Sequence, residues 1–279
     1  MNTIIDKKAL SSQTIEMHIH APEIAKKAEP GQFIIIRIDE KGERIPLTIA
    51  DWDNQKIVIV FQIVGMTTRS LARLDKGNTI MDICGPLGNP YKTTTKGTVV
   101  LIGGGCGAAA LLVKARYLKD KGNRVLSVIG ARSKDLLVWP RQIEKYSEKV
   151  LITTDDGSAG IKGKVTDALK KIIEQDNIDE IVAIGPVIMM KHVSLLAKQH
   201  KIKTTVSLNP IMIDGIGMCG SCRVLIDGKT RFSCVDGPEF DGHSVDWDNL
   251  LSRNLSYAAQ EHECMCGTQQ QATQDIIKR

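Results

Sequence analysis

A chain of 279 residues with 42% hydrophobic content exceeds the usual single-domain size and supplies apolar surface for two or three cores. Its 37 basic and 32 acidic residues leave a formal charge of +5, scattered along the chain, and aromatic residues make up only 4%. Both facts exclude a nucleic-acid surface built on a cationic stripe and base stacking.

No run approaches the roughly 20 apolar residues of a membrane span, and Met1 to Leu10 lacks the basic-then-apolar order of a leader. The expectation is a multidomain cytoplasmic protein that binds neither nucleic acid nor membrane. Seven cysteines, an odd number, fall mostly in the last quarter of the chain, with Cys219/Cys222 and Cys264/Cys266 closely spaced. In a reducing compartment that favours metal ligation over disulfides.

Residues 1–95 read as short alternating segments, such as Glu16 to His20, Phe33 to Arg37 and Lys56 to Phe61, punctuated by Pro30-Gly31 and Lys41-Gly42. This pattern predicts a small antiparallel β-barrel or sandwich, with one helix from Thr67 to Leu74. Residues 96–203 alternate strand and helix. Apolar strands are expected at Thr98 to Ile102, Val125 to Ile129, Val150 to Thr153 and Glu180 to Ile184, with helices from Ala108 to Lys121 and Val165 to Glu174. That is the order of an α/β parallel-sheet nucleotide domain. From residue 204 to 243 glycine and cysteine take over, and residues 244–279 form a polar tail with a helical stretch near Asn249 to Glu263.

Asp214, Cys219, Cys222 and Cys234 stand in the pattern D-x4-C-x2-C-x11-C. This is the plant-type spacing for a two-iron, two-sulfur cluster, with aspartate in the first cysteine slot. Ligands wrapping a compact cluster come from one tight loop and a following hairpin, and Gly215, Gly217 and Gly220 suit that loop. Three alternatives stand beside it: a structural zinc site, Asp214 as a turn cap, and Cys264 or Cys266 as the fourth ligand.

Gly103, Gly104, Gly105 and Gly107 follow a buried-type strand and open a helix, an arrangement that lets backbone amides meet a pyrophosphate. A tight packing turn has the same composition. Gly185 and Pro186, after another strand, add a second loop on the same sheet edge. In the barrel, Pro46, Leu47 and Thr48 follow Arg44, and Gly65, Thr67 and Thr68 open the predicted helix. Taken alone, these read as an edge-strand turn and a helix cap.

The order barrel, glycine-loop domain, cysteine cluster resembles the ferredoxin-NADP reductase superfamily. More narrowly it resembles the group that contains the dihydroorotate dehydrogenase electron-transfer subunit and the small subunit of NADH-dependent reduced ferredoxin:NADP oxidoreductase. Arg44 to Ala50, Thr154 to Ser158, Cys234 to Gly242 and the aspartate in the ligand slot carry the likeness to the latter.

The resemblance implies FAD along Pro46, Leu47 and Thr48, with Phe61 and Gln62 on the adjoining strand and Gly65, Thr67 and Thr68 near the diphosphate. It also implies NAD(H) as substrate, a [2Fe-2S] cluster, a larger flavin and iron–sulfur partner subunit, and ferredoxin reached through that subunit. Hydride chemistry belongs to the cofactors, so no acid–base residue is expected, and Asp155 and Asp156 read as a solvated loop. Two departures stand out. Ile45 occupies the position of the family's flavin-contacting arginine, and Ile184 replaces the cysteine of its Cys-Gly-Pro. Arg132 and Lys134 lean toward NADP, whereas the resemblance implies NAD. The competing expectations are the dihydroorotate dehydrogenase relay and, from another class, a zinc-stabilised scaffold with a degenerate nucleotide fold.

Overall fold

A computed structural model describes residues 2–257. Its first unit is a nearly closed antiparallel barrel of β1 (Asn2–Ala9), β2 (Thr14–His20), β3 (Phe33–Arg37), β4 (Arg44–Trp52), β5 (Lys56–Gln62), β6 (Thr79–Ile80) and β7 (Asp82–Leu87). Strand order is β6-β1-β2-β5-β4-β3-β7. Two helices accompany it, α1 (Pro22–Ala25) and α2 (Met66–Arg73). Alternation does the work here: Ile4, Met17, Ile19, Ile34, Ile36, Ile49, Ile57, Ile59 and Phe61 all point inward, with Leu71 of α2 among them.

The helix read from Thr67 begins one residue earlier. Gly65 is its N-cap, and the Thr68 hydroxyl oxygen accepts from the Val64 and Gly65 amides at 3.0 Å each. Thr67 instead donates to Glu43 at 2.7 Å.

The second unit contains β8 (Thr98–Gly104), α3 (Leu111–Asp120), β9 (Arg124–Ala131), α4 (Pro140–Glu144), β10 (Lys149–Thr154) and β11 (Ile161–Lys162). It continues through α5 (Val165–Gln175), β12 (Glu180–Ile184), α6 (Val187–Gln199) and β13 (Lys203–Ser207). These strands are parallel and ordered β11-β10-β9-β8-β12-β13. Both faces of the sheet are covered, which explains the unbroken apolar runs. Val100, Ile102, Ile181 and Ala183 pack toward α5 and α6, whereas Val99, Leu101, Val182 and Ile184 pack toward α3 and α4. The helix expected from Ala108 is preceded by a 3-10 turn over Gly105–Ala110.

The last unit is the cysteine segment, with the hairpin β14 (Arg223–Ile226) and β15 (Lys229–Phe232), then β16 (Glu239–Asp241) and α7 (Trp247–Asn254). β16 pairs antiparallel with β13 and so completes the nucleotide sheet. The polar helix read from Asn249 to Glu263 starts at Trp247 and ends at Asn254; residues 258–263, with Cys264 and Cys266, lie outside the described residues. Among the described residues no helix is long and apolar enough to cross a membrane.

A buried polar contact brings all three units together. Lys114 of α3, with a side chain 1% exposed, pairs with Glu239 of β16, and its ammonium sits 4.3 Å from the centroid of Tyr91 in the linker that leaves the barrel. A second contact holds the same linker. The buried Glu180 carboxylate accepts from Thr93 and Thr95 at 2.6 Å each, from Thr205 at 2.9 Å and from Lys203 at 3.1 Å. Burial works against its charge, but these donors prevail and hold it below the usual carboxylate range.

Removing one partner of a buried pair strands the other charge in a poor solvent. Lys114→Met is therefore expected to lose ~3–5 kcal/mol of stability in urea unfolding of the holoprotein, with most of it restored by adding Glu239→Leu. A Lys114→Met protein as stable as the parent contradicts the role given to this pair.

Candidate functional site

The C-terminal ends of β8 and β12 face the barrel strands β4 and β5 across a cleft of about 490 Å³. Ligand crevices in open parallel sheets lie at such strand ends. Of the residues singled out by sequence, Pro46, Leu47, Thr48, Phe61, Gln62, Thr68, Gly104, Gly105, Gly107, Gly185 and Pro186 line it. Gly65, Thr67 and Gly103 do not. Gly65 and Thr67 belong to the start of α2, and Gly103 is buried beneath the loop, where an added Cβ would lie 2.6 Å from Ala108 Cα.

The two glycine loops touch backbone to backbone. A Cβ on Gly107 would stand 2.9 Å from both Gly185 Cα and the Ile184 carbonyl, neither of which yields as a side-chain tip does. Glycine here permits a close approach that no other residue allows. Residues 105–107 border the cleft, and a glycine-rich backbone there is the kind of wall that suits a phosphate. Cys106 donates to the Val60 carbonyl at 3.2 Å, and burial pushes its thiol up to about 12. A thiol so held stays protonated at neutral pH and serves as a clasp between glycine loop and barrel.

Sequence reasoning missed the third wall. Leu208, Asn209, Pro210 and Met212, together with Pro238, line the cleft from the cysteine segment, and Ser207 joins them from the end of β13. The available signal was positional: Asn209-Pro210 follows the C-terminal end of a parallel strand.

Behind that wall are the cysteines. Cys222 and Cys234 are buried with their sulfurs 3.2 Å apart, too far for a disulfide and in reach of a shared metal ion. They pack with Phe33, Ile35 and Met212. Phe33 and Met212 also line the cleft, and Phe33 stands opposite Thr48 in the β3–β4 register.

The loop that carries Cys219 crosses the barrel at Gly215, where φ is +73° and a Cβ would come within 2.6 Å of Ile35 Cγ1. Asp214 closes this loop, accepting from the Ile216 amide at 2.9 Å and the Cys219 amide at 2.5 Å. Burial opposes its charge, but these donors outweigh it and hold Asp214 below the usual range. Asp214 thus caps the turn through its bonds, and its carboxylate lies at the head of the cysteine loop.

Cys219 is exposed, with its sulfur 2.8 Å from the Ser221 hydroxyl. Burial is again outweighed, here chiefly by Ser221, and the thiol lies below its usual value. Cys234 is different: burial first, and then the neighbouring Cys222 thiol, push it up to about 12. A thiol placed like that of Cys234 resists ionising unless a cation takes up the charge, which is the condition a metal centre supplies. Among the described residues no three His, Cys, Asp or Glu gather round one ion position. A two-iron core divides its ligands between two ions, so Cys219 can stand apart from the buried pair. Soft thiolates beside amide-rich glycine turns fit such a core.

Asp155 and Asp156 are far from this chemistry in role. Asp156 accepts from the Ser158 amide and hydroxyl at 2.9 and 2.7 Å, and Asp155 pairs with Lys164 at 2.9 Å on an exposed loop. Arg44 does not line the cleft.

Comparison with known proteins follows the same outline. The family model for the iron–sulfur cluster binding domain of dihydroorotate dehydrogenase B matches residues 209–246. The chain is 48% identical to the dihydroorotate dehydrogenase B (NAD(+)) electron transfer subunit homolog of Thermotoga maritima, over 94% of this chain and 93% of that protein. With the electron transfer subunit of Fusobacterium nucleatum the identity is 32%, over 88% and 97%. A chain from the solved NADH-dependent reduced ferredoxin-NADP oxidoreductase, reported for its insights into flavin-based electron bifurcation, superposes with a TM-score of 0.91 at 46% identity, covering 95% of this chain and 96% of that one. A ferredoxin NADP+ reductase from Neisseria gonorrhoeae with bound FAD and NADP shares the fold, at 17% identity and a TM-score of 0.60 over 71% of this chain and 89% of that one.

Because a Cβ at Gly107 meets backbone rather than a flexible tip, Gly107→Ala must part the two loops. Dinucleotide affinity is expected to fall at least about tenfold, some 1.4 kcal/mol, with flavin content unchanged. An unaltered Kd in calorimetric titration contradicts this account of the loops.

Proposed function

The chain belongs to the family of dihydroorotate dehydrogenase B electron transfer subunits and their homologues, within the ferredoxin-reductase fold, and on that premise we propose the following division of its work. It is an oxidoreductase subunit that exchanges hydride between NAD(H) and FAD and relays single electrons through a [2Fe-2S] cluster to a larger partner subunit. The observation that carries this is the shared wall: Phe33 and Met212 line the cleft on one side and pack against Cys222 and Cys234 on the other.

When bound, the flavin takes two electrons as hydride and releases them singly, and the cluster accepts one at a time. The rest is positioning by the chain. Residues 1–95 carry the flavin along Pro46, Leu47 and Thr48, with Phe61, Gln62 and Thr68 beside them and Gly65 and Thr67 at the helix end toward the diphosphate. Residues 96–203 carry the nicotinamide nucleotide on Gly104, Gly105, Gly107 and Gly185-Pro186, with Gly103 packed beneath the loop rather than at the ligand. Residues 204–243 carry the cluster on Cys219, Cys222 and Cys234 with Asp214 as the fourth ligand. No side chain is assigned acid–base work, and the protonated, clasped Cys106 agrees with that.

The partner docks at the cluster end. Met218 is 82% exposed there, with Ile213, Ile216 and Val235 also exposed around Cys219, an apolar rim larger than a scatter of single residues. We assign the partner as a flavin and iron–sulfur subunit through which ferredoxin is reached. The family model on residues 209–246 supports a second reading, delivery of electrons to an orotate-forming subunit. Identification of the copurifying subunit separates the two. The described cysteines are all free thiols, which suits the reducing cytoplasm.

Cysteine and aspartate variants test the cluster assignment. Cys222→Ala is expected to lose iron, sulfide and the visible charge-transfer absorption while keeping FAD, and Asp214→Cys to retain the cluster. A fully loaded Cys222→Ala protein would sink the assignment.

A further inference from the structure

Helix α7 lies beyond the matched cluster-binding module, which ends at residue 246, yet it grips that module. Arg253, in its last turn, donates from Nε to the Arg223 carbonyl at 3.2 Å and from Nη2 to the Ser221 carbonyl at 3.1 Å. These are the carbonyls on either side of Cys222.

The helix itself is firmly seated. Asp246 caps it by accepting from the Asn249 amide at 3.0 Å, Trp247 and Leu250 are buried against the nucleotide unit, and Lys191 of α6 pairs with Asp248 at 2.6 Å. The guanidinium is therefore a two-pronged donor on a rigid support. Arg253 and Cys219 also line one cavity, of about 360 Å³, so the cation borders the same space as the exposed thiol.

Two physical effects follow. A trans peptide points its C=O and N–H in opposite directions, so fixing the Ser221 carbonyl on α7 fixes the Cys222 N–H away from α7. Amide orientation around the sulfurs sets the potential of an iron–sulfur centre. In addition, guanidinium keeps its charge at every physiological pH, and a fixed positive charge favours the more negative, reduced state.

We infer that Arg253 is a positioning residue for the cluster: it holds the Cys222 peptide in place and keeps the cluster potential high. The inference rests on the two-iron reading above.

The test uses the full-length holoprotein under anaerobic conditions. Arg253→Met removes charge and donors but keeps the stem, and Arg253→Lys keeps the charge without the fork. In a redox titration followed by electron paramagnetic resonance, Arg253→Met is expected to shift the cluster about tenfold toward the oxidised form, about 59 mV for one electron. Loss of iron to a chelator should be several-fold faster, with FAD content and NADH-to-flavin hydride transfer as in the parent. Arg253→Lys should recover more than half of the potential shift and little of the chelator resistance.

A parental potential in Arg253→Met, even with faster iron loss, overturns the inference, since a purely mechanical clamp behaves that way. If Arg253→Met is recovered without FAD, Arg253→Gln carries the same comparison. A parent protein with no cluster at all overturns both this inference and the reading beneath it.

Discussion

The buried Lys114–Glu239 pair is the contact on which the arrangement of the three units depends. It joins α3 of the nucleotide unit to β16 of the cysteine segment, under the Tyr91 ring of the linker from the barrel. Buried ion pairs add little net stability when compared with apolar packing, but they penalise every arrangement that separates the partners. That asymmetry gives the pair its importance here. Once β16 is held on β13, Pro238 and the cysteine loop have little freedom in where they meet the barrel. Glu180 performs the same office at the other end of the linker, where threonine hydroxyls and Lys203 satisfy its oxygens.

Because the units are fixed relative to one another, side chains from all three close a single cleft. Barrel strands contribute Thr48 and Phe61, the parallel sheet contributes its glycine loops, and the cysteine segment contributes Met212 and Pro238. The same Phe33 and Met212 that wall the cleft also pack on the buried thiols. On the proposed assignment, two-electron chemistry in the cleft and one-electron chemistry at the cysteines would be separated by one layer of side chains. The exposed side of the cysteine loop, rimmed by Met218 and Ile216, is where the proposed partner would dock.

Much of this was legible in the sequence because the signals are local. Unbroken apolar strands announced a sheet buried on both faces, and the Gly103–Gly107 run and the Cys219/Cys222/Cys234 spacing each sit within a single loop or hairpin. What escaped depends on contacts between distant residues. β16 is three residues long, and nothing in its composition points to β13 as its partner. Lys114 reads as an ordinary helix-surface lysine until Glu239 arrives from 125 positions away. Residues 207–210 and Met212 line the cleft where the cysteine segment turns back over the barrel at Gly215. The start of α2 was misplaced by one residue for a different reason. Gly65 caps it without a side chain, while Thr68 reaches back from within the helix.

The central claim is that hydride received in the cleft leaves as single electrons through the cysteines. Anaerobic titration of the isolated holoprotein with NADH, following flavin absorbance and the paramagnetic signal of the cluster together, tests it most directly. The account predicts that bleaching of the flavin is accompanied by a reduced-cluster signal rising toward one spin per chain. A flavin fully reduced by NADH beside a cluster that stays oxidised, yet is reduced by dithionite, would contradict it.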